Sequence, residues 1–294
     1  MADEPDPTPI EALVGHPREK WEALQARVTT DRIRTFGEVE DAWLDLMWTL
    51  DQYRIAGVPP RGMGKMSNAP RARLDAVYRG KGNWFATLLA RLLEHQTTHR
   101  LAPRQRVQGF SQFHQVDIAW PDREVDPLLC LETKVTGAPG HGATPARRAM
   151  GDWSNRRKEL KFAATDLKLF RRQHLTAITH WDVWRSSVYP KTFFLWAARV
   201  TPFDSIDRMV HEVQALVKTY LEGAGIVAWR DVGDRYETVA IPPVERVSTV
   251  DDVLFRIASE ITLIAPPGAP APPPQEPSER AIDIELLGSD EALP

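Results

Sequence analysis

Between Leu128 and Gly137 the chain reads LLCLETKVTG, where an apolar run leads straight into Glu132, Thr133 and Lys134. A short apolar run bounded by turn residues is a buried strand. Alternation along a strand puts Glu132 and Lys134 on one face and Leu131, Thr133 and Val135 on the other. Buried charges are costly unless they are paired or bound to a metal. The chain must therefore build a covered sheet with one polar point, where a carboxylate and an ammonium can sit side by side.

The other segments supply the cover. PIEALVGHPREKWEALQARV has helical spacing interrupted at Pro17, and FGEVEDAWLDLMWTLDQYRI sets Val39, Trp43, Leu46, Met47 and Leu50 on one helical stripe. A polar connection follows over residues 58–73, read as a loop or linker. The next helix spans residues 80–99, starts at Asn83 and buries Phe85, Leu88, Leu89, Leu92 and Leu93, with Glu94 on another face. Strand-like runs come at 104–110, 113–120 and 128–135, then a helix over 151–174 and a buried strand, KTFFLWAARV, over 191–200. A helix over 204–222, a hairpin turning at Gly233 and a helix over 249–263 complete the body. The expected fold class is α/β: a mixed central sheet flanked by helices, with an αβββαβ core, extra N-terminal helices and a C-terminal hairpin and helix. The expected division is a helical segment at 1–73, the core with its C-terminal additions at 74–264, and a Pro-rich acidic tail at 265–294.

Charge is unevenly distributed. The chain carries −3 overall, but residues 1–12 hold −4 and residues 265–294 hold −5, which leaves +6 on residues 13–264. Residues 145–174 contain nine Lys or Arg against three acids. In the helix there, Arg157, Lys161, Lys168 and Arg172 form a stripe opposite the apolar face, open to two readings: a solvated face or a phosphate-binding one. No apolar run is long enough to span a bilayer and the N-terminus is acidic, so no membrane partner and a cytoplasmic location are expected. The one cysteine, Cys130, excludes an internal disulfide and reads as a small core residue. HWDVWRSSVYP, residues 180–190, reads as core packing or as a base-stacking surface. The tail, with its AIDIELLGSDEALP end, reads as disordered or as a partner-docking segment.

Asp117, on the preceding strand, lies beside Ala119 and opposite Val116, Ile118 and Trp120; strands joined by a short turn are usually neighbours. Asp117 and Glu132 are thus expected to meet, with Lys134 beside them. Two converging carboxylates ionise together only with a cation, and an oxygen-rich pair suits Mg²⁺. A divalent cation, a water and a phosphate are the components of phosphodiester hydrolysis. Asp117, fourteen residues, then Glu132-Thr133-Lys134 resembles the motif of the PD-(D/E)XK nuclease superfamily, which includes many type II restriction endonucleases. Val116 stands where that motif has proline.

The resemblance implies that Asp117, Glu132 and the Thr133 carbonyl hold one or two Mg²⁺ and that Lys134 acts on the attacking water. It also makes Glu94 the candidate for the core-helix glutamate many members carry, on a stripe equally open to reading as a solvated face. The expectation is a Mg²⁺-dependent deoxyribonuclease acting on double-stranded DNA, most simply a restriction-type homodimer. Two alternatives remain: a non-catalytic DNA-binding or assembly module, or a nuclease subunit of a larger defence or transposition complex, with the acidic tail docking a partner.

Overall fold

A strand made from KTFFLWAAR has no polar alternation and must be covered on both faces. In the computed structural model, which describes residues 9–63, 69–101, 103–172 and 189–273, it is β4 (Lys191–Arg199), inside a seven-stranded mixed sheet. On one side of β4 lies the antiparallel meander of β1 (Pro103–Gln108), β2 (Phe113–Trp120) and β3 (Leu129–Thr136). β3, β4 and β5 (Gly223–Asp231) run parallel. β6 (Tyr236–Val239) returns antiparallel after a turn with Gly233 at φ 107°, and the two-residue β7 (Val247–Ser248) pairs with β5. The fold is α/β with a mixed, open sheet, as the alternation of segments suggests.

Topology fixes which helix covers which face. The two parallel crossovers step in one direction, so right-handed connections put α6 (Trp153–Arg172) and α7 (Ile206–Val217) on the same face. There Leu160, Ala164, Met209 and Val213 pack on Phe194, Trp196 and Ile226. The opposite face takes α5 (Lys81–Thr97) and α8 (Val250–Ile264), whose Phe85, Leu89, Leu254 and Ile257 pack with Ile118, Leu131, Phe193 and Leu195. Each such side chain contributes roughly 1.5–3 kcal/mol by leaving water.

α1 (Pro9–Val14), α2 (Pro17–Thr30) and α3 (Glu40–Ala56) extend this second layer, and Trp21, Leu24, Trp43 and Leu46 belong to the same apolar core as the sheet. Pro17 starts a helix instead of breaking one, because proline's missing N–H is harmless at the first position. The same rule explains α4 (Pro70–Arg79), which begins inside the stretch read as a connection. Its Arg-rich sequence hid a short stripe of Leu74, Val77 and Tyr78, all buried. Among the described residues no helix is long and apolar enough to cross a membrane. The tail from residue 274 onward and most of HWDVWRSSVYP lie outside the described residues.

Candidate active site

The site arises where two strands part. β2 and β3 pair through Trp120↔Leu129, Ala119↔Cys130 and Ile118↔Leu131 and no further, whereas β3 stays registered with β4 as far as Thr136↔Ala198. Beyond the split a side chain replaces the ladder: Asp117 Oδ2 accepts the Thr133 N–H at 2.7 Å and the Thr133 hydroxyl at 2.9 Å. Among the described residues Asp117 Oδ1 accepts no hydrogen bond. A strand residue presents its N–H and C=O to the same neighbour, so the Thr133 carbonyl also points to the edge that β2 has left.

Glu132 and Lys134 follow the alternation. Lys134 Nζ lies 3.4 Å from Glu132 Oε2, and the two side chains are 26% and 18% exposed respectively. The Glu132 carboxyl sits over a narrow apolar slot formed by Cys130, Leu160, Ala163, Ala164 and Leu167. Burial there pushes its pKa up to about 8; the Lys134 ammonium opposes the rise and the Asp117 charge adds to it. Burial also pushes the Cys130 thiol up, so it is a packed hydrophobe and not a nucleophile.

Asp117, Thr133 and Lys134 form part of a cleft of about 730 Å³. One wall is the α4–α5 junction and the other is the segment from Gly137 to Arg156. Isolated bridges, Ala138 with Arg147 and His141 with Thr144, brace this second wall as it leaves β3. Arg79, Lys81, Lys134, Arg147, Arg148 and Arg156 line the cleft against only Asp117 and Asp152. Lys81 is buried, donates to the Gly137 carbonyl at 2.9 Å and to Tyr78 Oη at 3.0 Å, and is drawn down to about 8 by burial against the opposing pull of Asp51.

No family model, curated protein or solved structure matches the chain. The geometry therefore stands on its own residues. It brings together Asp117, Thr133, Glu132 and Lys134, although Glu132 does not itself line the cleft. Glu94 lies elsewhere: its carboxylate pairs with Arg91 at 2.7 Å and accepts the Leu101 N–H at 3.1 Å, closing the end of α5. The cleft meets the opposite end of that helix, at Lys81, Gly82 and Asn83, about 16 Å away at 1.5 Å per residue.

The basic stripe of α6 is likewise not a free cationic face. Arg157 pairs with Glu212 at 2.9 Å, Lys161 lies 4.9 Å from the Tyr220 ring centre, and Lys168 is fully buried in an ion pair with Glu222. The stripe faces α7 and the chain entering β5, packing against residues some fifty positions later. Arg172 is in the helix, but its side chain lies outside the described residues. The cations that do face the cleft are carried by loops and helix ends. Arg147 and Arg148 were within reach of sequence reasoning, since they open the basic cluster at 145–174; Lys81 and Arg79 carried no such signal.

The donor set fits a hard divalent cation. The Asp117 charge acts on Glu132 to raise its pKa, a main-chain carbonyl points to the same gap, and six cationic residues line the adjoining cleft. Among the described residues no group of three or more Asp, Glu, His or Cys forms a denser metal cluster.

Proposed function

We propose that the chain is a metal-dependent deoxyribonuclease that hydrolyses phosphodiester bonds. The observation that carries this reading is the Asp117 carboxylate at the β2–β3 split, with one oxygen unpartnered among the described residues, next to Glu132-x-Lys134 in a cationic cleft. Mg²⁺ held by Asp117, Glu132 and the Thr133 carbonyl would supply charge neutralisation at the phosphate and a more acidic water. Thr133 holds Asp117 Oδ2 through two hydrogen bonds, which leaves Oδ1 directed by a fixed carboxylate plane. Lys134 is placed to hold the attacking water and to balance Glu132 when it ionises. Arg147 and Arg156 offset the phosphate charges and orient the strand.

The class favoured is restriction-type cleavage of double-stranded DNA by a homodimer in the cytoplasm, because two copies of one site serve two strands most simply. The test is plasmid nicking and linearisation in Mg²⁺, compared with EDTA and with Asp117→Ala and Lys134→Ala. Loss of about 10²-fold or more in each variant is expected, and cutting by Asp117→Ala at the wild-type rate would remove the assignment. One observation favours a second reading, a non-catalytic DNA-binding scaffold: Glu132 faces the apolar slot and pairs with Lys134. Duplex binding without cleavage in Mg²⁺, Mn²⁺ or Co²⁺ would select it.

A further inference from the structure

Phe203 stands out on the surface beside the cleft. Its side chain is 79% exposed, in the turn between β4 and α7. A lone exposed aromatic is ordinary, but the turn that carries this one is tied down. The Arg148 guanidinium donates to the Phe203 carbonyl. The adjacent Asp204 carboxylate, fully buried, accepts the Thr201 N–H at 2.9 Å, the Thr201 hydroxyl at 2.8 Å and the Ala149 N–H at 3.4 Å, and lies 3.5 Å from Arg148 Nε. Arg148 and Ala149 are themselves cleft residues. The turn is thus tied to the cationic wall, and what it presents to solvent is one aromatic ring.

The cleft wall to which this turn is tied carries cations suited to phosphates. Among the described residues Arg147 is exposed and has no carboxylate partner, and Arg156 pairs with Asp152, just before its helix, and with Glu159 on it, interactions worth little in water. Alternating phosphate and base sites are what a nucleic-acid strand requires, since base–aromatic stacking is strong and tolerant of sequence. We propose that Phe203 is a base-stacking residue, contacting an unpaired nucleobase of the DNA strand whose phosphates lie on Arg147 and Arg156. The inference rests on the nuclease reading for its substrate, but concerns binding alone.

The two kinds of interaction differ in salt dependence. Neutralising a phosphate releases counterions, whereas stacking does not. The test is fluorescence anisotropy of labelled oligothymidylate with the full chain in EDTA across a salt series. Phe203→Ala is expected to weaken binding on the order of tenfold with the salt slope unchanged, and Phe203→Trp to restore it. Arg147→Ala combined with Arg156→Ala is expected to lower the slope by about 0.7 for each phosphate no longer neutralised. Phe203 and Arg147 are exposed and Arg156 is half-buried, and matching melting temperatures verify the fold. Wild-type affinity in Phe203→Ala, or a weakening that vanishes with salt, would overturn the proposal. Cleavage that survives such a result would leave the nuclease reading intact, whereas binding with the expected pattern but no cleavage in any metal would retire the nuclease reading alone.

Discussion

The Glu132 carboxyl rests against Cys130, Leu160 and Ala164, where a charge is poorly solvated, and its cation Lys134 is itself partly open to water. Its pKa rises from 4.5 to about 8 on folding. The unfolded chain therefore releases this proton first, and the group's contribution to stability is complete below about pH 4.5 and is lost as the pH rises through 8. Glu132→Gln removes the titration. In EDTA the variant's melting temperature should gain on the wild type by several degrees between about pH 5 and pH 9, at roughly 2–4 °C per kcal/mol. A difference that stays flat with pH would show that burial does not govern this group. At this scale the sequence was informative for Glu132 and Lys134, which share a strand face as alternation requires, but not for the strand of Asp117: Val116 packs with Ala119 and Cys130 while Ile118 and Trp120 join the opposite core, so the alternation that set Val116 beside Ile118 is broken at Asp117. The pull of the apolar slot on Glu132 was not legible, since Leu160 and Ala164 come from a helix after the strand.

Helix α6 shows where periodicity stops informing. Leu160, Ala164 and Leu167 are buried, as their spacing requires, yet the same helix has a second covered side that a basic stripe disguised. Lys168 and Arg157 find Glu222 and Glu212, partners that no local rule connects to them. Glu94 has the complementary lesson: its helix was correctly placed, but which end of the helix meets the cleft depends on the sheet's direction. The ion pair makes the distinction measurable. Removing one partner of a buried pair leaves an uncompensated charge and typically costs about 3–5 kcal/mol. Lys168→Ala should therefore lower the melting temperature by roughly 10 °C while leaving the salt slope of DNA binding as in the wild type. A reduced slope in a variant of unchanged stability would return Lys168 to the DNA-binding surface.

Across the whole molecule, one buried network ties the N-terminal helices to the sheet just behind the cleft. Asp51 of α3 accepts from Tyr78 of α4 at 2.6 Å and from Tyr236 of β6, and lies 3.5 Å from Arg199 at the end of β4. Lys81 joins it through Tyr78 and reaches the Gly137 carbonyl, three residues beyond Lys134. Gly137 has φ 79°, and a Cβ there would collide with the Arg199 main chain, so the exit of β3 is set by close backbone packing as well as by hydrogen bonds. A sequence reading that sets residues 1–73 apart has no means of seeing this, because the polar interactions join residues up to 185 positions apart. Burial raises the Asp51 pKa, and the cations and tyrosines around it act in the opposite sense. Asp51→Asn keeps the shape and removes the charge, leaving Lys81 and Arg199 without their shared carboxylate. The expected cost is about 3–5 kcal/mol, seen in calorimetry as one transition at lower temperature, since the helices share a core with the sheet. Two separated transitions, or loss of helical signal before the sheet melts, would mean that the N-terminal helices fold as a unit of their own and that Asp51 joins two bodies instead of bracing one.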